Sequence, residues 1–212
     1  MNKRILCFGD SITWGFSPAL DGRLDTRWPT VLQECLGPDY AILEEGQCGR
    51  NIATDDPAEG EKNGYRYILP CLETHTPLDM VIVMLGTNDC KHKYGYCVQD
   101  IAGEMQRFLQ KVLTHRHFQS ANRYKVLLIA PPPMSEAIHT SWLGDMFGFD
   151  EGRRKSDRLA EVYRKLAQSL DCLFLDAGEV AAPSPLDGVH LDAENQRRLG
   201  EAVARLVKAA EI

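Results

Sequence analysis

The chain of 212 residues has no run near the roughly 18 uninterrupted apolar residues that a membrane-spanning helix needs. Basic residues are in deficit, 24 against 30 acidic, for a net charge of −6. That balance argues against nucleic acid or an anionic membrane as a partner, because neither surface would attract it. None of the seven cysteines forms a Cys-x-x-Cys pair, and their number is odd. This excludes a zinc ribbon and argues for reduced thiols over a disulfide framework. A Gly-x-x-x-x-Gly-Lys phosphate loop is absent, and so is the Gly-x-Ser-x-Gly elbow of α/β-hydrolases. No cluster of His, Asp and Glu has metal-ligand spacing, so neither a metal nor a cofactor is expected. There is no secretory pattern. Met1-Asn2-Lys3-Arg4 is basic, but the apolar run after it spans only about four residues, too few for a signal peptide. The expected location is cytoplasmic. No repeat or low-complexity linker divides the chain, so residues 1–212 are expected to form one domain.

What is present is an alternation of short apolar runs and amphipathic stretches. Strands are predicted over residues 4–9, 40–44, 80–85, 124–130 and 172–175. The run from Met80 to Leu85 is the most apolar and should lie in the middle of a sheet, buried on both faces. Helices are predicted over 27–36, 65–74, 98–115, 151–170 and 193–210, with Gly37-Pro38 and Pro77 as stops. Five strands separated by helices imply a parallel sheet covered on both faces, a three-layer α/β/α sandwich. Residues 45–64 form a long polar loop, and loops of that length are usually functional or disordered.

Three stretches stand at the ends of predicted strands. Gly9-Asp10-Ser11 follows the first, Gly86-Thr87-Asn88-Asp89 the third, and Asp187-Gly188-Val189-His190 comes after the fifth. The carboxyl edge of an open parallel sheet is where such folds hold ligands. A serine hydroxyl placed there is a candidate nucleophile that needs a base. Of six histidines, His190 alone lies in a loop after the last strand, three residues beyond Asp187. In a turn, positions three apart share a side, so Asp187 can orient His190 toward Ser11. Each stretch also reads as plain turn chemistry, with Asp, Ser, Asn and Gly bonding nearby backbone. Asp10 and Asp89 are expected to hold their loops through backbone amides. Arg27 and Arg50 are expected in ion pairs with Glu44, Glu45 or Asp55. Among the cysteines, Cys48 stands out because it adjoins Gly49.

Residues 131–150 hold three prolines and then Trp142, Leu143, Met146, Phe147 and Phe149. These are too many large apolar residues for a free loop. They cover either this chain's own sheet or a neighbouring subunit's site. Trp14, three residues past Ser11, walls an acyl pocket or sits in the core.

In this order, the three stretches resemble the SGNH hydrolases, the GDSL-type esterases. Arg27-Trp28, Glu44-Glu45-Gly46, Leu78-Asp79 and Pro131-Pro132-Pro133 resemble the branch of oligomeric arylesterases and the mycobacterial acyltransferase. The resemblance implies a flavodoxin-like strand order 2-1-3-4-5. It assigns catalytic roles to Ser11, Asp187 and His190, and an oxyanion hole to the Ser11 N–H, Gly49 and Asn88. At the second block this chain departs from the commoner Asn-containing form, reading Gln47-Cys48-Gly49-Arg50. The implied activity is hydrolysis of acetyl and other short-chain esters of aryl or sugar alcohols through an acyl-enzyme, with acyl transfer as a companion reaction. A carbohydrate deacetylase of the acetylxylan type is the alternative, and a non-catalytic binding module a second. The implied partners are a small-molecule ester and further copies of the chain, up to an octamer, in which Trp14, Trp142, Met146 and Phe147 would narrow the way to the serine.

Overall fold

The structure, a computed structural model, describes residues 2–56, 58–115 and 124–212. His117, one of the histidines passed over in favour of His190, lies outside them. Five parallel strands form one sheet: β1 (Lys3–Gly9), β2 (Tyr40–Gly46), β3 (Met80–Met84), β4 (Lys125–Ala130) and β5 (Leu173–Asp176). Their order is β2-β1-β3-β4-β5, with β3 in the centre. All five side chains of β3 are fully buried, as its unbroken apolar run requires.

Strand side chains alternate between two cores. Leu6, Phe8, Val81, Val83, Val126 and Leu128 face one. Ile5, Cys7, Ile82, Met84, Leu127 and Ile129 face the other. The first core is closed by α3 (Gly64–His75), α4 (Val98–Thr114) and α6 (Asp150–Ser169), which bury Ile68, Phe108 and Tyr163 there. The second is closed by α2 (Trp28–Leu36) and α7 (Ala193–Ala209), through Trp28, Leu32, Leu199 and Val203. Helices on both faces of a parallel sheet give the three-layer sandwich.

Two short helices complete the set. α1 (Ser11–Trp14) starts directly after β1, and Asp10 caps it by accepting the Ile12 N–H at 3.0 Å. α5 (Gly144–Phe147) lies within residues 131–150. The first reading of that apolar segment, cover for this chain's own sheet, holds for part of it. Met134, Ile138, Leu143 and Phe147 are buried, whereas Trp142, Met146 and Phe149 are exposed.

Strand ends differ from expectation by one or two residues. β2 runs on to Gly46, paired with Gly9, because the ladder continues through the two acidic residues Glu44 and Glu45. The long loop is therefore 47–63.

Candidate active site

The carboxyl ends of β1 and β3 and the turn before α7 converge. Ser11 is the first residue of α1, so its hydroxyl stands over the sheet edge. Asn88 opens a 3-10 turn (Asn88–Cys90) just beyond β3. His190 Nε2 lies 2.9 Å from Ser11 Oγ, and His190 Nδ1 lies 2.6 Å from Asp187 Oδ2. The other Asp187 oxygen accepts the backbone N–H groups of Val189 and His190, both at 2.9 Å. Asp187 is fully buried, and its bonds fix the carboxylate against rotation. Gly188, at φ +75°, makes this tight return possible. A Cβ there would stand 2.5 Å from the Ile138 nitrogen.

Asn88 Nδ2 donates to the Arg50 carbonyl at 3.2 Å and lies 3.5 Å from Asp10 Oδ2. Gly49 takes φ +80°, and its N–H donates to no acceptor among the described residues. A Cβ at Gly49 would stand 2.7 Å from Glu59 Oε2.

Burial pushes the Asp10 carboxyl up to about 6, against the pull of the Ile12 N–H and of the neighbouring His190 and Arg50. Burial raises Asp89 further, to about 8, although it accepts the Ile52 N–H at 3.0 Å. Both aspartates hold backbone amides, as the sequence predicts. Arg27 pairs with Glu44 at 2.8 Å, also as predicted. Arg50 forms no ion pair among the described residues. Its guanidinium donates to the carbonyls of Gly9, at 2.9 Å, and of Glu45, and lies 4.2 Å over the Phe8 ring. The Gly9 carbonyl also accepts the Gln47 N–H at 3.1 Å, and the guanidinium's fork of N–H donors ties it to the Glu45 carbonyl near the end of β2. Asp55 pairs with Arg66 instead, and Glu45 with His75.

Ser11, Gly49, Asn88 and His190 line one cleft of about 500 Å³, counting space open to solvent. Trp142, Leu143, Met146 and Phe147 form its apolar side. Trp14 does not line it, which corrects the expectation. The chain reverses at Gly15, so the next aromatic, Phe16, reaches the cleft and lies 4.5 Å from the His190 ring. Trp14 packs instead under the Arg23 guanidinium. Phe16, Cys48, Glu59, Thr87 and Val189 also line the cleft. The Cys48 thiol is raised by burial and by the charge of Asp10. Against the effect of burial, Lys91 and Lys93 hold the Glu59 carboxyl below its usual value.

The fold also places Glu45, Cys71 and His75 ligand atoms within 4.8 Å of one another, a juxtaposition that spacing along the chain does not reveal. Glu45 already accepts from Tyr67 at 3.3 Å and bonds His75 at 2.7 Å. Arg50 supplies positive charge beside Cys71. The trio is a hydrogen-bonded cluster compensated by an arginine, outside the Ser11 cleft.

The GDSL-like lipase/acylhydrolase family matches residues 7–198, a span that takes in Ser11, Asn88, Asp187 and His190. The chain belongs to this family. An aryl esterase of M. smegmatis is 41% identical, with a TM-score of 0.91 over 98% of this chain and 99% of that one. A carbohydrate acetylesterase family member from Sinorhizobium meliloti is 39% identical, with a TM-score of 0.91 over 98% of each chain. A further carbohydrate acetylesterase from that organism is 37% identical, with a TM-score of 0.88 over 99% and 100%. No curated protein matches the chain. The GDSL-family chain is a carboxylic ester hydrolase with the SGNH fold. Among its described residues no helix is long and apolar enough to cross a membrane.

Proposed function

We propose that residues 1–212 form one serine esterase domain in which Ser11 is the nucleophile, His190 the base and Asp187 its orienting acid. The observation that carries this is the unbroken relay from Asp187 Oδ2 to His190 to Ser11 Oγ, at 2.6 and 2.9 Å. Ser11 Oγ attacks the ester carbonyl while its proton passes to His190 Nε2. Asp187 holds the ring in the tautomer that accepts this proton and stabilises the imidazolium. The tetrahedral oxyanion is met by the Ser11 N–H, the unspent Gly49 N–H and the Asn88 amide, each contributing about 3 kcal/mol. His190 returns the proton to the departing alcohol, leaving acyl-Ser11. Water then attacks the acyl carbon with His190 again as base, and Ser11 is released. An alcohol in place of water gives acyl transfer, and an apolar entrance that restricts water favours it.

The substrates proposed are acetyl and other short-chain esters of aryl or sugar alcohols. The small cleft supports the short acyl group, and the similarity to an aryl esterase and to carbohydrate acetylesterases supports the alcohols. The second reading, a carbohydrate deacetylase, is favoured by one observation, the charged acceptor Glu59 in an otherwise mostly apolar cleft. The seven unpaired thiols support a reducing, cytoplasmic location. The exposed Trp142, Met146 and Phe149 support a homo-oligomer, for which the octamer is the assembly the resemblance implies.

The test is release of p-nitrophenol from p-nitrophenyl acetate, together with fluorophosphonate labelling. Labelling should map to Ser11, and Ser11→Ala should abolish both signals. Turnover by the Ser11→Ala protein, or labelling elsewhere, sinks the assignment. A wild-type protein that releases no p-nitrophenol supports the binding module instead.

A further inference from the structure

We infer that Glu59 is a substrate-binding residue whose Oε2 accepts a hydrogen bond from a second, neutral hydroxyl on the alcohol half of the ester. The inference rests on the Ser11 cleft being the esterase site, and it narrows the alcohol to a polyhydroxylated one.

Glu59 belongs to the loop after β2, and its side chain reaches the cleft that holds Ser11, Gly49 and Asn88. One oxygen is fully engaged. Oε1 lies 2.7 Å from Lys91 Nζ and 2.9 Å from Lys93 Nζ. The Lys91 side chain is only 2% exposed, so this pair anchors the carboxylate from beneath. The other oxygen has no donor among the described residues, although 29% of the Glu59 side chain is exposed. It lies beside the Gly49 backbone, 2.7 Å from where a Cβ on that residue would stand. A charged acceptor with one oxygen pinned and the other open to the cleft is a preorganised receptor for a donor.

Charge decides which donor. Lys91 and Lys93 are balanced by Glu59 and by Asp56, which bonds Lys93 and accepts from Tyr94 at 2.5 Å. With two positive and two negative groups the cluster has no net negative charge to offer an ammonium, and Lys62, whose Cε stands 3.5 Å from the same Gly49 Cβ position, adds positive charge. A neutral O–H satisfies the free oxygen without upsetting that balance. Along the apolar side of the cleft, Trp142 and Met146 suit the face of a sugar ring or the acyl group.

The experiment compares Glu59→Gln with wild type on phenyl acetate, a mono-O-acetylated methyl glycoside and acetylcholine. The lysines hold the Gln oxygen in the Oε1 place, so an NH₂ donor replaces the free acceptor while Lys91 keeps a partner. We expect kcat/KM on the glycoside to fall about 10- to 100-fold, mainly through KM, with less than about a twofold change on phenyl acetate. Acetylcholine should be a poorer substrate than the glycoside. An equal change on both esters, or none on either, overturns the inference, as does an acetylcholine preference that Glu59→Gln abolishes. Glu59→Asp keeps the charge and withdraws the oxygen by one methylene, and should shift in the same direction if Glu59→Gln folds poorly. Saturation-transfer NMR of the free methyl glycoside on Ser11→Ala protein reads the contact without catalysis. Its loss on adding Glu59→Gln supports the contact even if Ser11 proves not to be the nucleophile, and an unchanged signal overturns it.

Discussion

At the residue scale, the site separates groups that react from groups that hold them. Asn88 spends one amide hydrogen on the Arg50 carbonyl and meets Asp10 only at 3.5 Å, so the amide has capacity left for a developing oxyanion. Asn88→Ala should lower kcat by about 10²–10³ with little change in KM, because the bond strengthens in the transition state. A raised KM with unchanged kcat would make Asn88 a ground-state binding residue. Asp10 gives a pH-dependent test. Its carboxyl is near 6 in the fold against an ordinary 3.8, chiefly through burial. A raised acid stabilises the folded state fully below the unfolded value and loses that contribution as pH rises through about 6. The stability of wild type relative to Asp10→Asn should therefore drop by on the order of 3 kcal/mol between pH 3.5 and pH 8. Urea melts at the two pH values measure it, and a pH-independent difference rejects the burial account.

At the scale of elements, the turn before α7 carries both Asp187 and His190, and its seat against residues 135–138 sets where the imidazole points. Gly188 O accepts the Ser135 N–H at 2.9 Å, and Gly188 N donates to Ser184 O at 2.9 Å. Gly188→Ala would combine an unfavourable positive φ with a backbone clash at Ile138. We expect a Tm lower by about 5–10 °C and kcat lower by at least about tenfold. A lower Tm with unchanged kcat would mean that the turn's seat does not position His190. Element identity was largely legible in the sequence. Met80–Met84 is apolar throughout and is central, and α4 shows the helical period that buries Ile101, Met105, Phe108 and Val112. Within residues 131–150, by contrast, the buried Leu143 and Phe147 and the exposed Trp142 and Met146 are both apolar pairs four apart, so the helical period alone does not tell which pair faces inward. That division depends on how α5 lies against the rest of the fold.

At the scale of the whole molecule, the exposed apolar residues around the cleft mouth are costly for an isolated chain. Multi-angle light scattering at micromolar concentration should give a multiple of 23.8 kDa. Trp142→Ser should shift that mass downward. A wild-type mass equal to one chain refutes the assembly. An oligomer that cleaves octanoyl esters as fast as acetyl esters keeps the assembly and loses the narrow cleft.

The sequence by itself determined the layered architecture and the placement of Ser11, Asn88 and His190 near one sheet edge. The reason is local. Strand and helix periods are set by neighbouring residues, and the Gly-Asp-Ser, Gly-Thr-Asn-Asp and Asp-x-x-His stretches each sit at a strand's carboxyl end or in the loop after the last strand. Tertiary structure decided what surrounds that edge. Phe16 replaces Trp14 in the cleft because the chain reverses at Gly15, and Arg50 takes strand-end carbonyls in preference to a carboxylate. Glu59 is held at the cleft by Lys91, 32 positions further along and buried beneath it. Loops carry no period, so which of their side chains meet is settled only when the sheet brings their ends together.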